Sequence, residues 1–212
     1  MSLEILTIGG ATFDSIIDYA DPETLNLHSA RGTLSYLLLE EGKKIEITSL
    51  DTSIGGGATN SAVAFHRLGF KAHCLCKVGD DVIGDKVLGD LGALGVATDY
   101  VLRAKGVPTA FSTVIPSLQG DRTVFAYRGA NATWQLADLP WEHMKAHQQF
   151  YVTSLSGESA QCLPAIVQFA TEHGIRVALN PGISQLRQGG SFIAESLKGV
   201  EMLMLNSAEA KQ

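Results

Sequence analysis

Lys71-Ala72-His73-Cys74-Leu75-Cys76-Lys77-Val78 runs directly into Gly79-Asp80-Asp81-Val82-Ile83-Gly84 and on to Leu94-Gly95. The first stretch is a short apolar run and reads as a buried strand. The second places Ile83, Val87, Leu88, Leu91 and Leu94 on one stripe of a helix, with Gly95 as its stop. The same couplet recurs on either side. Glu4–Ile8 reads as a strand, and Gln149–Thr153 as a strand leading into a helix that ends near His173. Gly174 is then placed to take the left-handed cap. Arg176–Asn180 and Met202–Leu205 read as two further strands. Strands alternating with helices imply a parallel sheet with helices on both faces. The predicted fold is α/β.

Two segments break the rhythm. Residues 31–54 contain Lys43-Lys44-Ile45-Glu46-Ile47-Thr48, which alternates as a half-exposed strand does. Residues 108–130 contain Ala110–Ile115 and Arg122–Arg128 around the turn-like Leu118-Gln119-Gly120-Asp121, a hairpin pattern. Neither segment has a helix after its strands. A small β-sheet projecting from the core as a lid is expected, over approximately 18–54 and 108–131.

The bulk properties narrow the function. A chain of 212 residues can bury a full core. The formal charge of −6 argues against a nucleic-acid binder, although a helix N-terminus can still hold an anion without any lysine. The start, Met1-Ser2-Leu3-Glu4-Ile5, lacks a basic segment followed by a long apolar run. No apolar stretch approaches the roughly 18 residues needed to span a bilayer. Cys74, Cys76 and Cys162 have no metal-ligand spacing and read as small buried hydrophobes. These features point to a reduced, cytoplasmic protein with no membrane partner.

Chemistry concentrates in Ile54-Gly55-Gly56-Gly57-Ala58-Thr59-Asn60-Ser61-Ala62, where three glycines lead into a helix that stops near Gly69. Glycines let a backbone approach a ligand with no Cβ in the way, and the first helical N–H groups lack internal partners. Asn60 in the first turn can both donate to and accept from sugar hydroxyls. A flexible turn before an ordinary helix is the plain alternative. A dinucleotide fingerprint fails, because Asn60 stands where its final glycine belongs. Asp14 follows the first strand, at the edge where open α/β sheets bind ligands, and could accept from vicinal hydroxyls. A turn or cap aspartate is its plain alternative. Asp80 and Asp81 suit the dipole of the helix they precede and read as structure.

Taken together, these pieces resemble the ribokinase-like (PfkB) family of sugar and nucleoside kinases. The resemblance runs through Gly-Gly before Asp14, the glycine run with Asn60, Arg-Leu-Gly at 67–69 and Val-Gly-Asp-Asp-x-x-Gly at 78–84. It continues through Tyr127-Arg128-Gly129-Ala130-Asn131, Asn180-Pro181 and Asn206-Ser207-Ala208-Glu209. It implies a three-layer α/β/α core with a small β-sheet lid, ATP as co-substrate and Mg²⁺ as cofactor. Asp14, Gly56, Gly57 and Asn60 would hold the sugar or ribosyl hydroxyls, and Arg128 would reach the substrate when the lid closes. Asn206 and Glu209 would arrange Mg²⁺ through its waters, with Asn180 near the nucleotide phosphates. An asparagine at N-cap with glutamate three residues on is also a capping box, and the two readings are compatible. A homodimer through the lid is implied as well.

The family's catalytic aspartate lies in a Gly-x-Gly-Asp motif, and none occurs in these 212 residues. The expectation is therefore an N-terminal portion of such a kinase, inactive without the C-terminal segment that carries the base and most of the adenine pocket. Two departures leave the substrate open. Gly57 stands where many members carry lysine, and Leu155-Ser156-Gly157 stands where ribokinases place a sugar-binding glutamate. The rivals are a non-catalytic sugar-binding or regulatory protein of the same fold and a nucleotide-dependent oxidoreductase.

Overall fold

The computed structural model of the chain describes residues 3–20, 22–30, 32–117 and 120–211. Leu118 and Gln119 of the expected hairpin turn lie outside that set, as do Met1, Ser2 and Gln212. In chain order the first strands are β1 (Glu4–Ile8), β2 (Thr12–Tyr19), β3 (Glu23–Ser29), β4 (Gly32–Leu38), β5 (Ile47–Gly55) and β6 (Lys71–Gly79). They are followed by β7 (Val101–Ala104), β8 (Phe111–Pro116), β9 (Arg122–Tyr127), β10 (Gln149–Val152), β11 (Arg176–Leu179) and β12 (Met202–Leu203). The helices are α1 (Gly57–Arg67), α2 (Val82–Ala93), α3 (Trp141–Met144), α4 (Leu163–Glu172), α5 (Ile183–Leu186) and α6 (Gly190–Leu197).

The larger of two compact units comprises Met1–Phe13, Ile54–Phe111 and Tyr127–Gln212. Its sheet has the order β12-β11-β10-β1-β6-β7, with every neighbouring pair parallel. Leu6 at the centre pairs with Phe150 on one side and His73 on the other. Every residue of β6 from Ala72 to Gly79 is buried, so both faces of the sheet are covered, as a parallel sheet requires. Leu6, Ile8, Leu75, Phe150, Val152, Val177 and Leu179 form the strand side of the core. Ala58 and Ala62 of α1, Val87 and Leu91 of α2, and Leu163, Ile166 and Ala170 of α4 close over them. The stripe expected on α2 holds except at Leu94, which caps the helix and is 36% exposed, because the chain has already left the helical register there. Gly95 and Gly174 end their helices with φ of 82° and 67°, as expected.

The smaller unit comprises Asp14–Ser53 and Ser112–Ala126. It contains most of a four-stranded sheet of order β5-β2-β8-β9 and the antiparallel ribbon β3–β4. The hairpin expected from 110 to 128 is present as β8 and β9, adjacent in the sheet. Two expectations need correction, and one feature is new. Asp14 is neither in a turn nor at a cap but inside β2, because the chain re-enters extended backbone at Thr12. Lys43–Glu46 is not strand, and all four residues are exposed. Gly42 (φ 77°) turns the chain there, and pairing resumes only at Ile47. The β3–β4 ribbon was not foreseen, although Leu25 and Leu27 alternate with polar residues. Leu25, Leu27, Leu34 and Leu38 all remain exposed.

Candidate functional site

Because all six strands of the larger unit run the same way, their carboxyl ends share one edge. From β1 the chain goes first to β6 and β7 on one side, then to β10, β11 and β12 on the other. The order therefore reverses between β1 and β10, and connections leaving opposite ways open a crevice there. Gly9-Gly10 follows β1 and Thr153 follows β10. The N-terminus of α1 comes against both.

The glycine run explains how three segments meet so closely. Gly56, the N-cap of α1, has φ 103° and ψ 152°, a conformation essentially limited to glycine. A Cβ on Gly56 would overlap the Gly10 carbonyl and lie 2.8 Å from the Ala11 Cα. One on Gly57 would overlap the Thr153 hydroxyl and lie 2.7 Å from the Thr153 Cβ. The Cβ-free sides of both glycines thus face protein, and their immediate task is close packing. The Ala58 N–H donates to the Gly10 carbonyl at 3.1 Å, and Thr59 Oγ1 donates to the Gly55 and Gly56 carbonyls at 2.6 and 2.9 Å. No side chain caps α1. Asn60 is exposed in the first turn, and among the described residues its side chain has no hydrogen-bond partner.

Two buried amides that the sequence reading did not single out hold this edge in shape. Asn131, 6% exposed, accepts from the Ala11 N–H at 3.0 Å and donates to the Ala11 carbonyl at 2.8 Å. Its own carbonyl accepts from Ser159 Oγ, which in turn accepts from the Trp134 N–H. Gln185 is fully buried. Its Oε1 accepts from the N–H groups of Leu155 and Gly182, at 3.0 and 2.7 Å. The loops after β10 and β11 are tied together by that one oxygen.

The remaining predicted residues of the larger unit lie along the same edge or just beyond it. Asn180 follows β11 and donates through Nδ2 to the Met204 carbonyl at 2.9 Å, linking the exits of β11 and β12. Asn206 and Glu209 form the reciprocal capping pair. Asn206 Oδ1 accepts from the N–H groups of Ala208 and Glu209, and Glu209 Oε2 accepts from the Asn206 N–H, each at 2.9 Å. Arg128 is exposed before the short 3₁₀ turn Gly129–Ala132, and its guanidinium has no partner among the described residues. Asp81 caps α2, as its reading as structure implied. Burial raises its carboxyl pKa, but hydrogen bonds from the Thr109 hydroxyl, the Thr109 N–H and the Gly84 N–H, with nearby Arg103, bring it below the usual range. In the smaller unit, Asp14 is half-buried and accepts from Ser112 Oγ at 2.6 Å.

The family profile for pfkB family carbohydrate kinases matches residues 26–212 of the chain. The chain is 29% identical to the deoxyribokinase of Salmonella typhimurium over 144 residues, which is 67% of this chain and 46% of that protein. Among solved structures, the Arabidopsis thaliana ribokinase complexed with ribose and ATP superposes with a TM-score of 0.75 at 20% identity, covering 99% of this chain and 62% of that one. A Burkholderia thailandensis nucleoside kinase in complex with inosine gives a TM-score of 0.75 at 18% identity, covering 98% and 61%. These structures share the α/β fold with its mostly parallel sheet. The chain spans about half the length of the curated relatives it matches.

Proposed function

The chain belongs to the pfkB family of carbohydrate kinases, and from that premise we propose that the complete protein transfers the ATP γ-phosphate to a hydroxyl of a small sugar or nucleoside. The observation that carries this reading is the uncapped N-terminus of α1 beside the β1–β10 switch, with the exposed, unpartnered amide of Asn60 in its first turn. That amide can donate to one sugar hydroxyl and accept from another. Asp14 would take part through the oxygen that Ser112 leaves open. Gly56 and Gly57 would shape the floor, and Arg128 would meet the substrate from its exposed turn. The smaller unit would serve as the lid, excluding water from the reacting phosphate. Pairing of its exposed edges would make a homodimer.

Phosphoryl transfer depends mainly on positioning and on neutralising charge. The capping pair at Asn206 and Glu209 fits a water-mediated Mg²⁺ partner in one respect. Glu209 keeps one oxygen free of protein hydrogen bonds among the described residues, and Mg²⁺ is commonly held by one or two carboxylates while keeping several waters. Asn206 Oδ1 already accepts two N–H bonds, so its part would be to hold Glu209 in place. When bound, Mg²⁺ would neutralise the nucleotide phosphates. Asn180 would act beside them through the oxygen its amide leaves free. A base outside these 212 residues would complete catalysis, and without it the rate would fall by roughly 10²–10⁴-fold.

The test is a panel of ribose, deoxyribose, fructose and nucleosides with ATP and the complete protein, reading ADP. One member should exceed the substrate-free rate. Asn60→Ala should raise its KM about tenfold and leave stability within about 0.5 kcal/mol. Thermal stabilisation by a sugar with no ADP formed would mark a binding protein instead. Saturable NADH binding would reopen the oxidoreductase reading.

A further inference from the structure

At the opposite, amino-terminal edge of the same sheet, Glu4 opens β1, His73 lies in β6, and His147 lies two residues before the start of β10. These three strands are neighbours. One ligand-type atom from each residue lies within 4.8 Å of the other two. His73 is 9% exposed and His147 3% exposed. Both ring nitrogens of His73 and Nε2 of His147 are buried without a hydrogen-bond partner. Leaving such a group unpaired costs on the order of 1–3 kcal/mol, so three in one place call for an explanation. We propose that Glu4, His73 and His147 form a binding site for a zinc-class divalent transition metal, bridging three strands at the edge remote from the candidate active site.

The chemistry of the donors favours this reading. His147 Nδ1 is 3.1 Å from the Met144 carbonyl; a proton there leaves Nε2 as a bare lone pair, as in metal-bound histidines whose other ring N–H donates to a carbonyl. Burial lowers the pKa of both imidazoles, holding them in the neutral, ligating form. Lys71 occupies only one oxygen of Glu4, at 2.6 Å, and leaves the other. The Tyr100 ring packs against both imidazoles, at 5.3 and 5.5 Å between centroids. Two imidazoles and a carboxylate suit zinc, with a water in the fourth position, and suit Mg²⁺ or Ca²⁺ poorly. Tetrahedral coordination at roughly 2.1 Å needs ligand atoms about 3.4 Å apart. Rotation of the part-exposed Glu4 and of the unpartnered His73 ring would close the gap.

The experiment uses chelator-stripped, tag-free protein titrated with Zn²⁺ by calorimetry and with Co²⁺ by visible absorption, with Mg²⁺ as control. The expected result is one Zn²⁺ per chain with a Kd of about 1 μM or tighter, a raised thermal midpoint, and Co²⁺ bands of a low-coordinate site. Glu4→Gln and His147→Gln should each weaken Zn²⁺ at least tenfold. Glu4 is part-exposed, so its variant stays informative even if the histidine variant fails to fold. No one-to-one binding at that level would overturn the proposal, as would equal affinity in the parent and Glu4→Gln.

Discussion

The two edges of the parallel sheet treat buried polarity in opposite ways. At the carboxyl edge every buried amide named above is engaged. Asn131 grips both polar atoms of the Ala11 backbone, and Gln185 bridges two loops with one oxygen. Of the groups proposed to meet a ligand there, those left free, on Asn60 and Arg128, are exposed. At the amino edge the free groups are the buried ones, the imidazole nitrogens of His73 and His147. A site that must admit and release a ligand keeps its scaffold satisfied and its contact groups in water. A site that holds one ion permanently can leave its contact groups buried, because the ion makes up the missing bonds.

The contrast can be broken most severely at Gly56. Gly56→Ala would force a Cβ into the Gly10 carbonyl from a backbone conformation that resists side chains. A loss of about 3–5 kcal/mol is expected from strain plus overpacking, readable as a lowered urea midpoint. Asn131→Ala comes next. It strands the Ala11 N–H and carbonyl and should cost about 2–4 kcal/mol, with sugar-induced stabilisation lost beyond what the destabilisation explains. Asp81→Asn is the mildest, at about 1 kcal/mol near neutral pH. Its value lies in pH dependence, because the folded carboxyl pKa is depressed below its unfolded value. The stabilisation is present above the unfolded pKa of about 4 and is lost as pH falls through the lower folded value. Urea melts between neutrality and strong acid should therefore show a flatter acid limb in the variant, with Arg103, Asp80 and Asp85 unchanged around it.

The strand–helix alternation was legible because burial on both faces leaves an unbroken apolar run, as in β6. The smaller unit was less so. Its strands bury at most one face, and in β3 and β4 neither, so periodicity there competes with ordinary polar loop composition. The positions of Asn60, Gly56 and Gly57 could be read from one short run. The clamps could not. Asn131 meets Ala11 across 120 residues, and nothing in a lone asparagine distinguishes a buried clamp from a surface amide. Its place in Tyr127-Arg128-Gly129-Ala130-Asn131 was the one available signal. Glu4, His73 and His147 follow no ligand spacing, because parallel neighbours in a sheet are separated by whole crossover units.

The pairing of β1 with β10 also has a consequence in time. Ile5 lies opposite Gln149, so one side of the central strand waits for a partner that is synthesised far later. At the usual pace of translation that delay is on the order of ten seconds, during which an apolar strand edge at the heart of the sheet lies open. Parallel pairings this distant in sequence are intrinsically slow to close. A nascent chain of this protein is therefore most exposed to misassociation while its glycine-rich turns and first helices are already made.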